Sequence, residues 1–168
     1  MNIEIGLAGP DDATPIAGLH GTTFARPWSP EEIRALLTGP GAIGLTGQLA
    51  GQSVGFLIAR ALSFEAELLS IGVLPDYRGS GVGHQLMAAL LSELTARRAL
   101  SLFLEVDGTN APAVRLYHRL GFRRVGIRKQ YYKIHNGGRS DAWVMRKDLE
   151  VPPLTEDVPL EQTPMGLR

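Results

Sequence analysis

With 168 residues, the chain has enough material for one domain around a single buried core. Hydrophobic content of 44% and charged content of 20% are ordinary for a globular protein, and no apolar run approaches the roughly 20 residues of a membrane-spanning helix. Zero cysteines exclude disulfides, thiolate-bound zinc and a cysteine acyl-enzyme, while a net charge of zero conceals an uneven distribution.

From Met1 to Tyr77 there are three basic and eight acidic residues, from Arg78 to Lys147 thirteen basic against four acidic, and beyond that one against five. A basic middle suits a polyanionic ligand, either nucleic acid or a phosphorylated cofactor. Met1-Asn2-Ile3-Glu4 lacks the basic and apolar regions of a signal peptide, so a cytoplasmic location is expected and a membrane partner is not. The histidines at 20, 84, 118 and 135 have no metal-ligand spacing and read as surface residues, so no metal is expected.

In chain order, a strand over Ile3–Leu7 is followed by Asp11 or Asp12, either able to cap a helix that reaches about Gly21. Ser29-Pro30-Glu31-Glu32 is a second helix start: serine caps, proline takes the first helical position and Glu32 completes a capping box. That helix ends before Gly39-Pro40. Strands are predicted at Ala42–Thr46, Ser53–Leu62 and Glu67–Val73, with Gly47 to Gly51 as a hairpin connection. Val82, Leu86, Leu90 and Leu94, widened by Met87 and Leu91, form the apolar stripe of a third helix.

Leu100–Val106 follows as a strand, its even positions facing one side and Ser101, Phe103 and Glu105 the other. Asn110 caps a short helix carrying Tyr117, and Pro112 is tolerated in its first turn. Arg123–Tyr131 and Asp141–Lys147 are the last two strands, joined through His135-Asn136-Gly137-Gly138. Beyond Leu149 the prolines at 152, 153, 159 and 164, with acidic residues between, read as a poorly ordered tail. Strands and helices in mixed order make the class α/β or α+β around a central sheet. Residues 1–149 form the domain, and 150–168 the tail.

The segment Arg78-Gly79-Ser80-Gly81-Val82-Gly83 lies between a strand and a helix. Glycines there let the backbone approach a phosphate, and the unpaired N–H groups of the first helical turn point at it. A dinucleotide fingerprint fails because its third glycine comes one position early, and a nucleotide P-loop fails because His84-Gln85 supplies neither Lys nor Ser/Thr. What remains is Arg-x-x-Gly-x-Gly, a pattern that resembles the pyrophosphate loop of the GCN5-related N-acetyltransferases. The Glu105-Val106 strand, Asn110 at a helix start and Tyr117-x-x-x-Gly121-Phe122 resemble the second half of the same fold. Trp28-Ser29, Tyr131-Tyr132, Asp141-Ala142 and Met145 are similar to one branch, the bacterial ribosomal-protein-alanine N-acetyltransferases (RimI). The resemblance spans Ile5 to Leu149.

It implies a single domain with a mixed sheet of about seven strands and about four helices, splayed between the strand ending at Val73 and the strand holding Glu105. It implies acetyl-coenzyme A as co-substrate, cradled by Arg78, Gly79, Ser80, Gly81, Val82, Gly83 and His84. Ile71, Gly72 and Val73 pair with the pantetheine arm, and Asn110 either bonds the cofactor or only caps its helix. The matching glutamate and tyrosine make Glu105 the general base and Tyr117 the proton donor to the thiolate, with Trp28, Tyr131 and Tyr132 framing a groove for a protein N-terminus such as a ribosomal protein's. A monomer or weak dimer without direct nucleic-acid contact is expected. Asp107 and His84 depart from the arginines common at those positions. A lysine or small-molecule amine as acceptor, or a non-catalytic coenzyme A-binding module, stays open as an alternative.

Overall fold

Each strand of the sheet meets the expected one within a few residues at its ends. The computed structural model describes residues 2–134 and 136–153. Among these, the strands are β1 (Ile3–Ala8), β2 (Ala42–Leu49), β3 (Gln52–Leu62), β4 (Glu65–Val73), β5 (Ser101–Asp107), β6 (Arg123–Lys133) and β7 (Arg139–Asp148). The α-helices are α1 (Ala13–Thr23), α2 (Pro30–Thr38), α3 (Val82–Ala96) and α4 (Ala111–Arg119). His135 and the expected tail beyond residue 153 lie outside the described residues.

The strands form one sheet in the order β1-β2-β3-β4-β5-β7-β6. Neighbours are antiparallel except β4 and β5, which run parallel and pair only from Glu65 to Glu67 against Ser101 to Phe103. Beyond that point the two strands part, so Leu68–Val73 and Leu104–Asp107 face each other across an opening rather than a ladder. This is the splay that the resemblance implied.

Alternation along β3 shows how the sheet is covered. Phe56 and Ile58 join Ala13, Ile16, Leu19, Ile33 and Leu37 beneath α1 and α2. Leu57 and Ala59 join the stripe of α3, where Val82, Leu86, Met87, Leu90 and Leu94 are all buried, together with Tyr117 of α4. At about 25 cal/mol per Å2 of apolar surface, these two layers supply most of the driving force for folding.

Local chemistry explains the differences from the sequence-based elements. Asp12 does not cap α1 with its side chain; its Oδ2 accepts the Gly9 N–H at 2.8 Å and closes a 3-10 turn over Pro10–Asp12. The β2–β3 hairpin is tighter than Gly47 to Gly51, because Ala50 (φ 50°) and Gly51 (φ 79°) alone make the turn and the strands pair up to Leu49 and Gln52. Leu100 is not in β5: it is half exposed, and its N–H donates to the Phe64 carbonyl. The remaining even positions, Leu102, Leu104 and Val106, are buried as expected. At α2 the capping box is complete, with Ser29 Oγ accepting the Glu32 N–H at 3.1 Å and Glu32 Oε2 accepting the Ser29 N–H at 2.7 Å.

Candidate active site

The turn from β4 to α3 is built for an anion. Pro75 ends the strand in a 3-10 turn, after which Gly79 (φ 76°) and Gly81 (φ 91°) adopt left-handed backbone that other residues reach only with strain. No atom lies within 4 Å of where a Cβ would stand on either, so the cradle above them is open. Gln85 N–H makes the first helical bond, to the Gly81 carbonyl, so the N–H groups of Val82, Gly83 and His84 have no partner within the helix. Ser80 Oγ donates to the Tyr77 carbonyl, and Arg78 donates Nε to the Val73 carbonyl at 3.2 Å, tying the loop to the strand exit. His84 is exposed on the first turn of α3. An open, positively polarised cradle of this kind fits a pyrophosphate.

Below the cradle, β4 pairs with β3 through Ile71, Gly72 and Val73, and past Glu67 its other edge faces the opening. Gly72 is closely packed: a Cβ there would come within 2.6 Å of the Phe56 ring and 2.9 Å of Thr23 Oγ1.

At the mouth of the opening lies a cavity of about 620 Å3 lined by Trp28, Glu32, Leu36, Glu67, Leu68, Glu105, Tyr131 and Tyr132 among others. The sequence-predicted base and all three predicted acceptor-framing residues thus share one cavity. A smaller cavity of about 400 Å3 lies around Arg60, Glu65, Glu67 and Phe103, where Glu67 is already paired with Arg60 at 3.1 Å.

Glu105 is not simply a solvated strand residue. Its side chain is 29% exposed, and Oε1 pairs with Arg128 Nη2 at 3.1 Å. The Arg128 guanidinium also lies 5.6 Å from the Tyr131 ring centroid, a cation–π distance. Arg128 was not among the sequence candidates. Nothing local marks it, because it meets Glu105 across an intervening strand: Arg128 stands opposite Ala142 of β7, whose other neighbour is Asp107, two residues from Glu105 on β5.

Pairing of β6 with β7 jumps from Arg128 opposite Ala142 to Tyr132 opposite Ser140, so three residues, 129 to 131, stand against Asp141 alone. Gln130 takes φ 53°, its N–H donates to Asp141 Oδ1 at 2.9 Å, and Arg139 Nη1 donates to its carbonyl at 3.3 Å. The bulge presents Tyr131 and Tyr132, edge to face with centroids 5.1 Å apart, to the cavity.

Tyr117 is buried on α4 against Phe122, with ring centroids 5.7 Å apart. Burial, with a smaller effect of Tyr132, pushes its pKa up to about 12, so its hydroxyl keeps its proton throughout the neutral range. Tyr132 is shifted up too, first by burial and then by the charge of Glu105. Asn110 caps α4, its Oδ1 accepting the Ala113 N–H at 3.3 Å, which leaves the amide nitrogen and the second lone pair of Oδ1 for another partner. Asp107 folds onto Thr109, accepting from its N–H at 2.9 Å and its hydroxyl at 2.8 Å. Burial works against the Asp107 carboxylate, but these bonds outweigh it and hold its pKa below the usual value.

His20 corrects the expectation that the histidines lie on the surface. It is 3% exposed, because it closes the apolar layer beneath α1 and α2 instead of facing water, whereas His84 and His118 are exposed. No group of three potential metal ligands occurs among the described residues.

A splayed mixed sheet, a glycine cradle at a helix start and a carboxylate facing an aromatic cavity define an acyltransferase that draws its acyl group from a coenzyme A thioester. The chain belongs to the acetyltransferase (GNAT) family, whose model matches residues 14–122, and it uses acetyl-coenzyme A. It is 34% identical to the N-alpha-acetyltransferase RimI of Mycobacterium tuberculosis over 87% of this chain and 92% of that one. It is 38% identical to the ribosomal protein bS18-alanine N-acetyltransferase of Escherichia coli over 72% of this chain and 80% of the relative. The crystal structure of the Escherichia coli ribosomal-protein-S18-alanine N-acetyltransferase superposes with a TM-score of 0.84 and 30% identity, covering 94% of this chain and 99% of that one.

Proposed function

We propose that the protein acetylates the N-terminal α-amine of a protein, an alanine-first ribosomal protein being the favoured acceptor. The observation that carries this reading is the shared cavity of Glu105, Trp28, Tyr131 and Tyr132 where β4 and β5 part. Its size and aromatic walls suit an extended peptide end with a small first side chain. The names of the relatives from Escherichia coli and Mycobacterium tuberculosis point the same way.

An α-amine has a pKa of about 7.7–8.0 and arrives mostly protonated at neutral pH. Glu105 takes that proton, directly or through a water, once the amine has displaced or settled beside Arg128. The unpaired edge of β4 receives the pantetheine arm like an added strand, with the Val73 N–H toward the thioester oxygen. Amine and thioester then react in one ternary complex, since the chain has no cysteine to carry the acyl group. Tyr117, which holds its proton at this pH, returns one to the departing thiolate. Val82, Gly83 and His84 offer main-chain N–H groups to the pyrophosphate beside Gly79, Ser80 and Gly81, with Asn110 contributing through its amide nitrogen. The cytoplasm is the compartment in which this reaction fits, and residues 1–149 are the unit that performs it.

The test is acetyl uptake from acetyl-coenzyme A by a short alanine-first peptide, set against the same peptide with a blocked N-terminus and free lysines. Uptake by the first alone is expected. Uptake confined to the lysine-bearing blocked peptide moves the function to side-chain acetylation.

A further inference from the structure

Acyl transfer as described gives no task to His20, the one buried histidine among the described residues. It sits in the last turn of α1, and its Nδ1 accepts the main-chain N–H of Trp28 at 3.1 Å. A ring nitrogen that accepts a hydrogen bond carries no proton, so this contact requires the neutral ring with its proton on Nε2. Aromatics pack around the imidazole. It stacks on Phe24 with centroids 4.4 Å apart and on Trp28 at 4.7 Å, and it tilts against Phe56 at 5.6 Å.

One side chain therefore grips both the backbone and the indole of the residue that walls the groove. The connecting segment 24–29 has no regular structure and is largely exposed, so its path depends on such contacts. The Phe56 ring in turn packs on Gly72, whose missing Cβ makes room for it. The stack runs from the strand beside the cofactor to the wall beside the acceptor.

We propose that His20 is a positioning residue for the acceptor: through Trp28 it sets that wall where an α-amine can reach Glu105. This inference rests on the groove being the acceptor site. Protonation of Nδ1 would remove the lone pair that Trp28 uses and place a charge among aromatic rings. Burial holds the pKa of His20 below its usual value of 6.5, against the opposite pull of Glu32 on α2. No other charge lies on α1; Arg26 is the charged residue of segment 24–29, and β3 meets the ring with Phe56. The grip is complete at neutral pH and is lost as pH falls below about 6.5 through the depressed pKa.

Steady-state kinetics with the alanine-first peptide test this in two variants. His20→Phe keeps a ring in the stack but leaves the Trp28 N–H unpaired. The KM for peptide should rise about tenfold, in line with the loss of a partly buried hydrogen bond, while the KM for acetyl-coenzyme A stays within about twofold. His20→Asn puts an amide oxygen close to where Nδ1 stood and cannot titrate. Peptide KM should return toward the wild-type value, and the acidic rise in KM should shrink to the part that does not depend on His20. Unchanged peptide KM in His20→Phe, or the same acidic rise in wild type and His20→Asn, overturns the role of His20. Should His20→Phe fail to fold, the pH comparison decides by itself. A wild-type enzyme that ignores the peptide overturns the groove assignment and this inference with it, which separates the two failures.

Discussion

Glu105 already faces a cation of its own chain. On the proposed mechanism, an incoming amine meets a carboxylate paired with Arg128, whose side chain is 57% exposed. A pair this open to water is worth at most about 1 kcal/mol, so it can be exchanged for substrate at little cost. Glu105→Gln keeps the shape and removes the basicity. Turnover should fall by about 10²–10⁴-fold, the range expected for loss of general-base catalysis. The KM for acetyl-coenzyme A should hardly move, because the cradle lies on another element. Steady-state rates at pH 7 check this, and turnover close to wild type would return Glu105 to a structural pairing with Arg128. Tyr117 gives no alkaline limb below pH 11 or so, since burial holds its proton to about 12. Glu105 could be picked out from the sequence because a charge in an apolar strand stands out. Arg128 could not, being one of the thirteen basic residues between Arg78 and Lys147.

Elements differ in how much of their form is local. The start of α2 was readable, because serine, proline and glutamate within four positions supply the reciprocal capping bonds and a first-turn residue with no N–H to leave unpaired. The bulge in β6 was not, because the group that stabilises it, Asp141, lies eleven residues away on another strand. Gln130 has no residue type that favours left-handed backbone, so only cross-strand pairing reveals its turn. Because that bulge presents both tyrosines, Asp141 should matter to the acceptor without touching it. Asp141→Ala removes the acceptor of the Gln130 N–H. The lost bond should cost about 1 kcal/mol, and Tm should drop by about 2–4 °C in a chain of this size. Peptide KM should rise several-fold while acetyl-coenzyme A is used as before. Thermal unfolding and steady-state kinetics on the same preparation check both halves. A stability loss with unchanged peptide KM would show that the tyrosines keep their places without the bulge contact.

For the molecule as a whole, the run of strands and helices was readable from periodicity and turn residues, whereas the strand order was not. The parallel contact of β4 with β5 spans only Glu65–Glu67 against Ser101–Phe103, and the helix between them leaves no mark of where pairing stops. Only the family resemblance carried the opening into the sequence-based picture. That opening makes the cofactor a structural element as well as a co-substrate. On the proposed reading, acetyl-coenzyme A binds along the β4 edge and the turn at Gly79–Gly81, surfaces that exist only when β4, α3 and the splayed sheet are assembled. A ligand bound only by the native state stabilises it by about 2.7 kcal/mol at one hundred times its Kd. At about 2–4 °C per kcal/mol for this length, Tm should rise by about 5–11 °C. Gly81→Val places a β-branched residue at φ 91° in the middle of the cradle, where the open space accepts the side chain but the backbone does not. The variant's own Tm should fall modestly, by the strain at one residue, and the cofactor-dependent rise should disappear. A thermal-shift titration of wild type beside Gly81→Val checks this, and an equal rise in both proteins would place the phosphates somewhere other than the turn between β4 and α3.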